Sequence, residues 1–410
     1  MAERTVLGQG LIVDGTGAEP FEGSVVVEDG RIADVVAGSA VPGGAGARVL
    51  RCDGRAVIPG LIDAHVHIGA VDVNIMGQHR RYLPSEAALR MGRILTETLL
   101  QGFTTVRDAG GADAGFRAAV ERGVVAGPRL RVSGRPLSQT GGHGDDRTPA
   151  ETTHPDAGIG IMGVVADGVD GVRRAAREEL RRGADQIKVM ASGGAMSPAD
   201  RLETTQYSVD ELRAIVAEAQ AAGRYVLAHA YTPAAIRNAV DAGVHSVEHG
   251  NLLDAETAAL MARRGVYLDP TLVTYEKLYE EGERYGVPRE NLDKIATAHD
   301  AGIEGLRRAH RAGVSIASGS DLLGELARHK ARELAIKASV LGPMGALVAA
   351  TRTNAEMMGL ADEIGTLEPG KHADLLVVDG NPLDDLSLLA DEDRLLVVMR
   401  DGREYKNDLG

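Results

Sequence analysis

Between residues 59 and 360 the chain repeats one punctuation: an amphipathic stretch of helical period, a glycine, then a short apolar run. Gly102, Gly183, Gly223, Gly243, Gly265 and Gly313 each stand at such a junction, and Ser208 and Thr232 occupy positions where helix N-caps belong. Eight runs read as strands, over 60–68, 103–109, 129–134, 185–192, 225–230, 246–250, 266–273 and 314–321. Helical stretches fill the gaps at 86–101, 171–182, 208–222, 233–242, 254–264, 291–312 and 324–341. Strands alternating with helices signal βα units on a parallel sheet, and eight of them close a barrel. The expected fold class is therefore α/β, a (β/α)8 TIM barrel over 59–360. A doubly wound open sheet is the alternative, but neither a glycine-rich dinucleotide fingerprint nor a P-loop follows the first run.

The two ends have another texture. Residues 4–57 are short apolar runs split by Asp-Gly at 14–15, 29–30 and 53–54, and 365–380 and 394–406 look alike. Residues 1–58 plus 361–410 are expected to build one small β-sandwich domain from opposite ends of the chain.

Charge narrows the partners. The formal net charge is −14 and no Lys/Arg-rich run occurs, which argues against a nucleic-acid surface and for a small-molecule substrate. No apolar run reaches the roughly 18 residues of a membrane span, and the first residues lack the apolar core of a signal peptide. The single cysteine, Cys52, rules out an intrachain disulfide and any cysteine-rich zinc module, and fits a reducing cytoplasm, where the protein is expected to reside.

In a barrel, chemistry gathers at the C-terminal ends of the strands. The unusual residues of this sequence fall there: His65 and His67 on the first strand, Lys188 inside the fourth, His229 on the fifth, His249 on the sixth and Asp321 at the end of the eighth. His65 and His67, two apart on a strand, face the same way and form a chelating pair. Singly, each has a plainer reading: two core histidines, a strand cap for His249, an N-cap for Asp321, a salt bridge for Lys188. Their convergence on one rim is what points to a site.

The segments AHVH (64–67), GFTTVRDAGG (102–111), QIKVMASGG (186–194), AHAYTP (228–233), VEHGN (247–251), ASGSD (317–321) and GTLEPGKHADLLVVDGNP (365–382) resemble the amidohydrolase superfamily nearly end to end. The likeness is strongest to its binuclear branch of imidazolonepropionase-like dipeptidases and carboxypeptidases, prolidase-like enzymes and N-acyl-amino-acid hydrolases. That resemblance implies two zinc or similar divalent ions. One is held by His65, His67 and Asp321, the other by His229 and His249. Lys188, carboxylated by CO2 to a carbamate, and a hydroxide lie between them. A cationic lysine beside metal ions would be repelled, and carboxylation removes the conflict. The resemblance also implies that Asp321 accepts the hydroxide proton and passes it to the departing amine, and that the protein assembles into a homo-oligomer.

Substrate contacts are sparser. Tyr231, two residues beyond His229, is a candidate donor to the scissile carbonyl or to a substrate carboxylate, with rim packing as the other reading. The long 135–170 connection is rich in Gly, Asp, Thr and Pro, as functional lids are, and offers His143 as an oxyanion or substrate contact, a plain loop being the alternative. His79, Arg80 and Arg81 could meet a carboxylate but read better as a solvated cluster, and Glu248 should face away from His249. The expected function is hydrolysis of the amide bond of a dipeptide, peptide C-terminus or N-acyl amino acid. Hydrolysis of a cyclic amide, lactam or carbamate is the nearest rival, and a non-catalytic scaffold is the rival of another class.

Overall fold

The computed structural model describes residues 4–42, 46–153, 160–197 and 200–409. The N-terminal strands are Arg4–Ile12 (β1), Phe21–Glu28 (β2), Arg31–Ala37 (β3), Arg48–Arg51 (β4) and Ala56–Pro59 (β5). The barrel strands are Leu61–Val66 (β6), Phe103–Asp108 (β7), Arg129–Val132 (β8), Leu137–Ser138 (β9), Val164–Val165 (β10), Ile187–Met190 (β11), Val226–Ala230 (β12), Ser246–His249 (β13) and Tyr267–Asp269 (β14). Leu375–Val378 (β15), Leu395–Arg400 (β16) and Arg403–Asn407 (β17) complete the set.

Both ends of the chain meet in one eight-stranded sheet, ordered β17-β16-β15-β5-β1-β2-β3 with β4 also on β1. Its strands alternate faces, and the alternation separates two cores. Val57, Leu375, Val377, Val397 and Met399 join Leu7, Ile12 and Val25. Their neighbours Ile58, Leu376, Val378 and Val398 turn the other way, against Leu95 and Leu99 of the first barrel helix. The sheet is thereby fixed to the barrel by apolar burial rather than by a linker.

The barrel is built from parallel pairs β6-β7-β8 and β9-β11-β12-β13-β14. Asp185 N–H donates to Val132 O at 2.7 Å and joins the two groups. The eighth stave differs from expectation. Residues 314–321 form an extended segment with one bridge, Leu268 to Ile316, rather than a full strand. It still closes the ring: Leu268 N–H donates to Ser315 O, Ala317 N–H to Leu268 O, Ala64 N–H to Ser318 O and Asp321 N–H to His65 O, at 2.8 to 3.0 Å.

The helices Val209–Ala221 and Pro233–Ala242 begin where expected, Ser208 in a capping box with Glu211 and Thr232 accepting from Ala235 N–H. Gly243 and Gly313 end their helices in the left-handed region, φ 94° and 76°. Two further expectations are corrected. The run at 266–273 is strand only to Asp269, because Thr271 takes φ 43° and a helix, Leu272–Glu281, begins there. The helix expected over 324–341 is a 3-10 turn, Gly324–His329, then a helix from Arg332. A short helix at Ala114–Glu121 went unread.

The helical stretch Arg332–Met357 is also long and apolar enough to cross a membrane by length and composition, contrary to the expectation that no apolar run reaches that length. It is broken at Gly342 (φ 74°), with Pro343 next. Leu334, Ala346 and Leu347 pack into the core between barrel and sheet. On the same stretch Glu333 and Lys337 are buried and paired at 3.0 Å.

Candidate active site

All six residues expected to bind metal lie at one end of the barrel. His65 is in β6 and His67 just past it, Lys188 is in β11, His229 in β12, His249 is the last residue of β13, and Asp321 ends the eighth stave. His65 Nε2 and His67 Nε2 stand 3.6 and 3.3 Å from Asp321 Oδ1, close enough together to share one ion. Lys188 Nζ is 3.4 Å from His65 Nε2, and His249 Nδ1 is 3.9 Å from Asp321 Oδ2. The His229 and His249 rings meet edge to face with centroids 4.6 Å apart.

Hydrogen bonds behind the imidazoles decide which nitrogens carry lone pairs. Gly110 O can only accept, so His67 Nδ1 donates to it at 2.7 Å and Nε2 is left as a base. Gly193 O likewise holds the proton of His229 on Nε2, at 3.0 Å, leaving Nδ1. His65 Nδ1 meets Glu248 Oε2 at 2.7 Å, and Arg107 grips the same carboxylate at 2.8 and 3.0 Å, keeping it an acceptor. His249 Nδ1 is engaged by the Thr271 hydroxyl at 2.7 Å. Burial holds the pKa values of His65, His229 and His249 well below the usual imidazole value, so all three are neutral at neutral pH. For His67 burial acts the same way, but the Asp321 carboxylate outweighs it and raises the pKa.

Lys188 is 1% exposed and has no carboxylate within ion-pair distance among the described residues. The barrel salt bridge weighed for it is therefore absent. Burial lowers its pKa to about 8. A buried, unpaired amine among lone-pair nitrogens and one carboxylate is a donor set that fits divalent metal, whether or not the lysine carries a carbamate.

Two of these residues hold backbone conformations that side chains resist: His249 at φ 75° and Asp321 at φ 52°. Such strain is kept where surrounding structure over-determines it. Gly319 supplies part of that constraint. A Cβ there would lie 2.3 Å from Asp269 Oδ2, 2.4 Å from His65 Cβ and 2.6 Å from the His65 nitrogen. Gly319→Ala is expected to cost about 1–3 kcal/mol and to push β6 outward. A lowered thermal midpoint together with lowered metal content would register this; a wild-type midpoint with full metal content would show slack that the packing does not suggest.

A cavity of about 90 Å³ lies over these residues. His143 lines it, with its ring stacked on His229 at 4.4 Å and its Nδ1 2.8 Å from Ser197 Oγ. Residues 154–159 of its loop lie outside the described residues. Tyr231 also lines the cavity but is 2% exposed, stacked on His249, with its hydroxyl 2.7 Å from the Tyr275 hydroxyl. The simple picture of a free phenol at the rim is corrected to a hydroxyl pair. Tyr275, just past the run at 266–273 that reads as strand, was not singled out. His79, Arg80 and Arg81 are not among the residues that line the cavity; Arg80 pairs with Glu151 and Arg81 with Asp72. Glu248 faces away from His249 as expected, yet reaches His65, and Arg107 was not singled out at all. A charged residue inside an apolar strand, the signal used for Lys188, would have found it.

A closed (β/α)8 barrel with this donor set at its C-terminal rim defines a hydrolase of the metal-dependent barrel class. The family model described as "Amidohydrolase family" matches residues 56–405, and the chain belongs to that family. It is 44% identical to the crystal structure of a prolidase complexed with N-methylphosphonate-L-proline, at TM-score 0.95, covering 98% of this chain and 100% of that one. It is 32% identical to the ochratoxinase of Aspergillus niger over 99% of this chain and 87% of the relative. A Xaa-Pro dipeptidase solved with bound methionine is 29% identical at TM-score 0.88, covering 99% and 100%.

Proposed function

We propose that the protein is a binuclear metal-dependent hydrolase of the amide bond joining an acyl or aminoacyl group to an amino acid, working in the cytoplasm as a homo-oligomer. The observation that carries this reading is the gathering of His65 Nε2, His67 Nε2 and His229 Nδ1 with Asp321 around an amine that has no carboxylate partner. His65, His67 and Asp321 would hold one ion, His229 and His249 the other, and a carbamate on Lys188 would join them. Bound there, zinc or a similar divalent metal supplies Lewis-acid polarisation of the carbonyl and an activated water.

The remaining steps belong to the chain. Asp321 Oδ1 is engaged by His67, which leaves Oδ2 to accept the proton of the attacking water and return it to the amine nitrogen as the C–N bond breaks. His143 and the Tyr231–Tyr275 hydroxyl pair border the cavity as neutral donors for the substrate carbonyl and carboxylate. The likeness to a prolidase holding a proline phosphonate and to a Xaa-Pro dipeptidase supports an amino acid as leaving group.

Metal analysis combined with a substrate panel tests the proposal. Two ions per chain are expected, with dipeptides or N-acyl amino acids cleaved faster than lactams or carbamates, and chelation should abolish turnover. Preferred cleavage of a lactam or carbamate would transfer the enzyme to the rival class.

A further inference from the structure

One wall of the cavity carries a charge that the catalytic machinery leaves unused. Asp146, on the loop that also carries His143, lines the cavity, whose lining also includes apolar Met76, Ile161 and Met196. It is half-buried, and among the described residues its carboxylate has neither a hydrogen bond nor an ion pair. Nor are its oxygens among the sealed polar atoms of the interior, so they remain open to a ligand. Its neighbour Asp145 contrasts with it: Arg147 clasps that carboxylate at 2.6 and 2.8 Å, and Gly141 N–H donates to it at 2.9 Å. Arg80, the opposite charge whose field reaches Asp146, is committed to Glu151.

The electrostatic consequence follows. Burial, then the Asp145 charge, pushes the Asp146 carboxyl up to about 6, against the pull of Arg80. It is still mostly ionised at neutral pH, and an unpaired carboxylate in apolar surroundings is costly until a donor arrives. Among the described residues no arginine lines the cavity, and the one lysine that does, Lys188, belongs to the metal-type donor set. The wall therefore favours an incoming cation.

We propose that Asp146 is a specificity determinant whose carboxylate receives the free α-ammonium of the substrate, so that the enzyme favours unblocked dipeptides over N-acyl amino acids. This rests on the reading that the substrate is an amide of an amino acid, and narrows it. An ammonium meeting the carboxylate forms a charge-assisted hydrogen bond, which the amide nitrogen of an N-acyl group cannot match.

The test compares kcat/KM for a dipeptide and for its N-acetyl derivative, which share the scissile bond, in wild type, Asp146→Asn and Asp146→Glu. Wild type is expected to prefer the free dipeptide. The ratio of the two kcat/KM values should fall about tenfold or more in Asp146→Asn, through KM for the dipeptide, and keep its direction in Asp146→Glu. Because the readout is a ratio on one preparation, the folded fraction cancels, and the wild-type ratio stands on its own if the Asn variant does not fold. A wild-type preference for the N-acetyl substrate, or a ratio unchanged in Asp146→Asn, overturns the proposal while leaving amino-acid amide hydrolysis intact. Cleavage of neither substrate by metal-loaded wild type overturns both.

Discussion

Asp321→Asn is expected to lose about a thousandfold in kcat, the scale of a removed general acid-base group, while keeping its fold and most of its metal. The substitution suits the question because asparagine, like aspartate, tolerates the left-handed backbone that residue 321 adopts at φ 52°. The backbone bond from Asp321 N–H to His65 O is untouched, and an amide oxygen can still face His65 and His67. What disappears is a second oxygen able to take a proton. Burial raises the pKa of this carboxyl, but the His67 hydrogen bond and the charges of His67 and Lys188 help to hold it below the usual carboxylate value, so the native group is ionised and ready to accept. Turnover, thermal midpoint and metal stoichiometry should be measured on the same preparation. Wild-type kcat at full metal content would remove Asp321 from proton transfer.

The second large effect is on stability. Arg107 is wholly buried, donating to Ala64 O at 2.6 Å, to Ser246 Oγ at 3.1 Å and to both oxygens of Glu248. Asp269 lies 3.8 Å away, its pKa pushed up to about 7 by burial. Arg107→Met leaves Glu248 without its counter-charge in the barrel interior, and is expected to destabilise by about 3–5 kcal/mol. Glu248 would lose the guanidinium that fixes it in place as the acceptor of the His65 Nδ1 proton, so metal content should fall with stability. The double variant Arg107→Met/Glu248→Leu separates the two. Removing both charges should recover much of the thermal midpoint but not the metal content, since His65 loses the acceptor that fixes its tautomer. Recovery of both would mean that the network serves packing alone.

The barrel was legible because helix-capping glycines are chemical marks, independent of tertiary contacts: Gly243 and Gly313 do what their spacing announced. The candidate ligands were legible for a similar reason, since His, Lys and Asp interrupt otherwise apolar strand ends. The Thr271 to Tyr275 region was not. VYLDPTLV reads as one largely apolar run, and the switch from strand to helix is set by a non-glycine residue in the left-handed region, which periodicity does not register. Glu333 and Lys337 were hidden likewise, because i, i+4 charges on a helix ordinarily mean a solvated face, and here they are buried near Asp269. Asp146 was unreadable because its meaning lies in what it lacks, namely a partner.

Only Gly60 separates β5 of the terminal sheet from β6, the strand that carries His65. Gly60 N–H donates to Asp374 O at 2.9 Å, just ahead of β15, and the Asp374 side chain is tied to Arg129 of β8 at 2.5 Å. During synthesis, then, the histidine pair emerges early but its footing arrives more than 300 residues later, when β15 docks beside β5. A ribosome-bound fragment would expose half of a chelating site with nothing to hold it in register. In this architecture the strand that carries His65 therefore gains its full footing only once β15 is paired with β5.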